Sequence, residues 1–133
     1  MKTIATILAA TALAMTGTVA SAQTLAEKGE ARLAEMIEGR VAGKPVSCIP
    51  APRSNRLQVI EHVGVVYDAG KTVYVARPQD PKVLGRDDVV IIERMGSQLC
   101  RQDVTRTIDR YLGFTSGVVF LSEFVPYTKP DAG

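Results

Sequence analysis

The 133-residue chain is poor in the side chains that most often carry chemistry. It has one histidine, His62, and two cysteines, Cys48 and Cys100. The cysteines lie 52 residues apart, which excludes a C-x-x-C redox or zinc motif, and with one histidine no standard zinc set can be assembled. No run of oxygen ligands has EF-hand spacing. Neither sign of charge is in strong excess: the formal net charge is +2. A chain this close to neutral lacks the basic field that draws nucleic acid or anionic lipid. There is no internal repeat and no low-complexity tract. The longest apolar stretch, Ile4 to Met15, is too short and too weakly flanked by charge for a transmembrane helix.

That stretch has the pattern of an export signal instead. Lys2 supplies the positive start, Ile4 to Met15 the apolar centre, and Ala20-Ser21-Ala22 the small-x-small site after which signal peptidase cuts. Residues 1–22 are therefore read as a signal peptide, and the expected location is periplasmic or secreted. No cysteine sits at the cut to take a lipid anchor. Both cysteines remain in the exported part, and an even count there favours a Cys48–Cys100 disulfide over two buried free thiols. The chain-entropy model values such a cross-link at about 4 kcal/mol, a large share of the ~5–15 kcal/mol that holds a small domain together.

Residues 23–44 read as a helix and its connector. Thr24-x-x-Glu27 is a capping box. Leu25, Leu33, Met36 and Ile37 recur at helical spacing, and Gly39 or Gly43 ends the run. Gly29 interrupts the apolar stripe, where glycine costs about 1 kcal/mol against alanine. The helix is expected either to dock on the sheet or to form a mobile arm. Residues 45–128 read as a small disulfide-linked β-rich domain, and 129–133 as a loose tail. Val46 to Ile49 is a short first strand, and Arg56 to Glu61 a second. The clearest local structure is a hairpin. Val63 to Tyr67 and Thr72 to Ala76 are β-branched and aromatic, and Asp68-Ala69-Gly70-Lys71 joins them. Val63, Val65 and Tyr67 are expected on one face. Arg77 to Asp88 is a surface loop with Val83 and Leu84 touching the core. Val89-Val90-Ile91-Ile92 suits a strand covered on both faces. Val104 to Ile108 is a weaker strand, Tyr111 to Gly117 a loop, and Val118 to Val125 the final strand. Such spacing predicts an α+β or mainly β fold: one helix, then a small antiparallel sheet or partly closed barrel, pinned by one disulfide.

Candidate sites are few. Gly113-Phe114-Thr115-Ser116-Gly117 echoes a nucleophile elbow, but an elbow needs a helix after it and a β-branched run follows. His62 reads as a surface or strand-edge residue. Asp87, Asp88, Asp103 and Asp109 stand at strand ends, where aspartates bond their own backbone; a hydrolase built on Asp87, Asp88, Asp103 or His62 is the remotest reading. No residue is assigned as catalytic, metal-binding or cofactor-binding, and no cofactor is expected. The proline-stiffened loop Pro50 to Asn55, with Pro50, Pro52 and Arg53, is preorganised beside the cross-link and is a candidate partner loop.

Cys48-Ile49, the Val65 to Val75 hairpin, Ser97-Gln98-Leu99-Cys100 with Asp103, and Gly117 with Phe124-Val125-Pro126-Tyr127 give residues 45–128 a likeness. Here the chain resembles small exported proteobacterial proteins of unknown function with a paired-cysteine core. The resemblance implies export and a shared core, and brings no activity and no site residue. The expected function is a non-catalytic exported domain that binds a partner, such as an envelope or periplasmic protein, or supports the envelope. The alternative is a small secreted inhibitor or ligand-binding protein using the Pro50 to Asn55 loop. Nucleic acid is not an expected partner, and no transmembrane segment is expected after signal cleavage. Activity, partner, strand order and oligomeric state stay open at this level.

Overall fold

The computed structural model describes residues 21–131. The expected signal peptide thus lies, through residue 20, outside the described residues. One helix, α1 (Leu25–Ile37), precedes ten short strands: β1 (Val41–Ala42), β2 (Cys48–Pro50), β3 (Leu57–Ile60), β4 (Gly64–Asp68), β5 (Thr72–Ala76), β6 (Asp88–Glu93), β7 (Gln98–Cys100), β8 (Val104–Asp109), β9 (Thr115–Val119) and β10 (Val125–Thr128). They form a five-stranded sheet in the order β1-β10-β5-β4-β3, a three-stranded sheet β6-β8-β9, and the ribbon β2-β7. Every pairing is antiparallel, and the sheets do not close into a barrel. The fold is mainly β with a single disulfide, as the sequence predicts.

The five-stranded sheet is covered on both faces because its strands alternate two apolar sets. Leu33 of α1 packs with Ile60, Val66, Val73 and Val75 on one side. Val65, Tyr67 and Ala76 point to the other side, where they meet Ile49, Leu99 and Phe124. The helix is therefore docked. Its start is fixed by the capping box: the Glu27 amide donates to Thr24 Oγ1 at 3.2 Å and the Thr24 amide donates to Glu27 Oε2 at 2.7 Å. It ends at Gly39, whose φ of +70° is the left-handed conformation glycine adopts without penalty. Gly29 lies where the helix approaches the β3–β4 turn, and a Cβ there would stand 2.6 Å from Val63 Cγ2 and 2.7 Å from the Glu61 carbonyl oxygen. The missing side chain is what lets the helix sit so close. Arg77, just past the end of β5, donates to Glu30 at 2.5 and 3.0 Å, and this guanidinium holds the Glu30 carboxyl below its ordinary range.

The β4–β5 hairpin forms as the sequence predicts, with Gly70 at φ +91° and its amide donating to Asp68 Oδ1 at 2.8 Å. Leu84 is fully buried. Several expectations need correcting. Val63 leaves the face shared by Val65 and Tyr67 and joins the helix-side core, because the Glu61–Val63 turn puts His62 at φ +57° and rotates the chain. The connector after the helix holds a strand, β1, which pairs with β10. Thr115 to Gly117 belongs to strand β9, not to a loop. The expected final strand Val118 to Val125 is two strands, with Phe120 to Phe124 crossing between sheets. Pro126 lies inside β10. It is tolerated because its carbonyl, and hence its nitrogen, faces the side where β1 stops; Gly43 donates to that carbonyl at 2.7 Å. Finally, Val89 to Ile92 is covered by the described residues on one face only. Val90 and Ile92 pack inward, while Val89, Val104 and Val118 stand exposed on the outer face around an Arg106–Glu93 ion pair of 2.6 Å.

Candidate functional site

Cys48 and Cys100 are directly opposed in the β2-β7 ribbon and are bonded, with an S–S distance of 2.05 Å. Their neighbours carry the ladder bonds: the Arg101 amide donates to Ser47 O at 2.9 Å and the Ala51 amide to Ser97 O at 2.8 Å. The cysteines therefore occupy a non-hydrogen-bonded pair, where side chains across a ribbon come closest. Pro50, opposite Gln98, occupies the next such pair, so its missing N–H removes no ladder bond. Asp103 closes the turn after the cross-link, its Oδ2 accepting the Cys100 amide at 2.8 Å.

The ribbon and the Pro50 to Asn55 segment form one end of a cleft of about 410 Å³ between the two larger sheets. Leu57, Val59 and Tyr67 of the five-stranded sheet make one wall, and Val90 and Ile92 of β6 make the other. The size is within the range of small-molecule sites, roughly 300–1,000 Å³. Asp88 and Arg94 mark the two ends of the β6 wall, because residues 88, 90, 92 and 94 share the inward face at the strand period of two. At about 3.3 Å per residue, those ends lie roughly 20 Å apart.

The two ends differ in charge. Arg110 lines the Asp88 end, brought there because Asp109 is the register partner of Asp88. A cation and an anion thus share that end. Asp88 is already engaged: Oδ1 accepts the Ser116 hydroxyl at 2.6 Å, and Oδ2 accepts the Gly85 amide at 3.1 Å. At the other end, Arg94 Nη1 donates to Ala51 O and pins the proline loop. Among the described residues no carboxylate lies within ion-pair distance of Arg94. Beside it, the buried Tyr67 Oη accepts the Arg53 amide at 3.4 Å, which leaves its own proton free to donate. Ser54 adds a second hydroxyl to this end.

The residues singled out by sequence scatter. Pro50, Pro52 and Arg53 are exposed, and the proline loop meets the cleft through Ala51 and Ser54 instead. His62 sits in the tight β3–β4 turn, its amide donating to Leu84 O at 3.0 Å. Asp103 and Asp109 bond nearby backbone amides, as expected of aspartates at strand ends. Ser116 does face a carboxylate, but a strand follows it and its oxygen lies 3.0 Å from Thr107 Oγ1. Among the described residues no group of three or more His, Cys, Asp or Glu side chains is arranged to hold a metal ion. Sequence reasoning missed Arg94 and Tyr67; Ser54 lay within the expected Pro50 to Asn55 loop but was not singled out there. The signal for Arg94 was present, since it continues the inward alternation of Val90 and Ile92 past the end of the strand.

These features define a disulfide-linked, mainly β domain with one docked helix and a cleft between its sheets. Comparison with known proteins finds no matching family model, no significantly similar curated protein and no significantly similar solved structure.

Proposed function

We propose that the protein is a non-catalytic exported binding domain and that the cleft between its sheets holds a small, largely apolar ligand. The observation that carries this reading is the cleft itself: an apolar channel of about 410 Å³ with polar groups confined to its ends. It is the concave counterpart of the alternative read from sequence, with the proline loop closing one end of the cleft rather than serving as the contact surface. Export to the periplasm or beyond is supported by the Cys48–Cys100 bond, which persists in oxidising compartments, and by the leader pattern of the first 22 residues. Among the described residues no helix is long and apolar enough to cross a membrane. Kinship with small exported proteobacterial proteins remains part of the proposal, supported by the paired cysteines and Asp103.

The test uses an anilinonaphthalene sulfonate dye and residues 23–133. Saturable binding to one site, lost on placing a bulky ring at the cleft mouth with Ser54→Trp, is the expected result. Ser54 is exposed, so the substitution leaves the core packing alone, and an unchanged melt verifies this. Dye binding that survives Ser54→Trp unaltered would move the site elsewhere and end the reading.

A further inference from the structure

We infer that the cleft is polarised and takes a single-headed organic anion: a carboxylate seated at Arg94, Tyr67 and Ser54, with an alkyl chain running along Leu57, Val59, Val90 and Ile92. The inference rests on the reading of the cleft as a ligand site and adds the chemical class of the ligand.

Three observations set the polarity. First, the charge is unequal. The Asp88 end holds Asp88 and Arg110 together, whereas the Arg94 end has a guanidinium and no carboxylate within ion-pair distance among the described residues. An anion entering at Arg94 meets attraction without a like charge beside it; at the other end it meets the Asp88 carboxylate.

Second, the donors converge on one end. Arg94 uses Nη1 on Ala51 O, and its remaining guanidinium protons are available. The Tyr67 hydroxyl accepts from the Arg53 amide and has a proton left, at a side chain only 3% exposed. A buried donor without an acceptor is costly, and a carboxylate oxygen supplies the acceptor. Charge-assisted bonds of this kind are about twice as strong as neutral ones.

Third, the middle of the cleft offers no polar side chain. Leu57, Val59, Val90 and Ile92 come from two facing strands and leave an apolar path from the Arg94 end toward Asp88. That path excludes a second charged group in the body of the ligand, because a desolvated charge there would have no partner. The chemistry that fits is a medium-chain alkyl carboxylate, with one charge and one apolar tail.

Calorimetric titration of residues 23–133 with decanoate and with decanol, below their aggregation limits, tests this. Decanoate is expected to bind at one site and decanol about tenfold or more weakly, the difference a lost charge-assisted contact makes. Arg94→Gln should weaken decanoate about tenfold and leave decanol unchanged, which separates a charge effect from a disturbed loop. Tyr67→Phe should weaken decanoate several-fold, and Arg110→Gln should leave it within about twofold. Equal affinity for acid and alcohol, or a loss at Arg110→Gln that matches the loss at Arg94→Gln, overturns the polarity while leaving the cleft as a ligand site. Binding of neither compound, together with dye binding indifferent to Ser54→Trp, removes both readings. If Arg94→Gln fails to fold, the acid–alcohol comparison on the unmodified protein still decides, as does its salt dependence: added salt should weaken decanoate only.

Discussion

Gly29→Ala sets two effects of known sign against each other. On an exposed helical face, replacing glycine by alanine stabilises by about 1 kcal/mol. Gly29 is instead buried against the sheet. The added methyl would lie 2.6 Å from Val63 Cγ2, 2.7 Å from the Glu61 carbonyl oxygen and 3.1 Å from Ile60 Cγ2. Val63 is fully buried, and Glu61 belongs to the turn in which His62 takes φ +57°, so neither neighbour yields freely. Overpacking of this kind costs about 1–3 kcal/mol. With two contacts below 3 Å, one of them to backbone, the cost lies toward the upper end of that range, and after the propensity gain the expected net result is a loss of about 1–2 kcal/mol. At about 4–8 °C per kcal/mol for a domain near this size, the melt should fall by several degrees. Urea denaturation followed by circular dichroism measures it. The companion variant Ala31→Gly, on the exposed side of the same helix, isolates the propensity term and should lose about 1 kcal/mol. A Gly29→Ala protein as stable as the parent, or more so, would refute the close docking of helix on turn.

Three further outcomes are expected. Replacing both Cys48 and Cys100 by serine opens a cross-link spanning 52 residues and should cost about 2–5 kcal/mol; an unchanged melt of this double variant would show that the ribbon holds without it. Phe124→Ala, at a fully buried ring in the core between sheets, should cost about 3–5 kcal/mol, and a loss under 1 kcal/mol would mean that this core is not packed as described. Glu30 is held below its ordinary value by Arg77, so the contribution of the pair is complete above the unfolded glutamate value and fades as pH falls through the lower folded one. Glu30→Gln should therefore flatten the acid limb of the stability curve. Both partners are about half exposed, which limits the effect to about 1 kcal/mol or less.

Local rules carried much of the fold. The capping box, the Gly70 hairpin and the alternation of Leu57 and Val59 against Ile60 each depend on residues within one element, and each appears as read. The disulfide was legible because only one pairing exists. What escaped was decided by contacts far apart in sequence. The Val118 to Val125 run carries no break signal of its own, yet it splits because Leu121 bridges to Pro78 and Phe124 to Val46. Val63 looks like the next member of an alternating strand until the left-handed His62 turn rotates it away. The four apolar residues Val89 to Ile92 give no sign that one face lacks cover, since hydrophobicity reports a preference for burial and not what does the burying. The candidate site was the least legible part. Its walls come from the paired strands β3 and β4 on one side and β6 on the other, and β6 pairs with neither of them. Only Asp88 and Arg94, at either end of one alternating run, left a local trace.

Amide resonance mapping by NMR, with decanoate titrated into isotope-labelled residues 23–133, tests the cleft most directly. The account predicts saturable shifts concentrated at Ala51, Ser54, Leu57, Tyr67, Ile92 and Arg94, with Arg110 and the outer-face residues Val104 and Val118 little moved. Shifts centred on that outer face, or none at saturating decanoate, would contradict it.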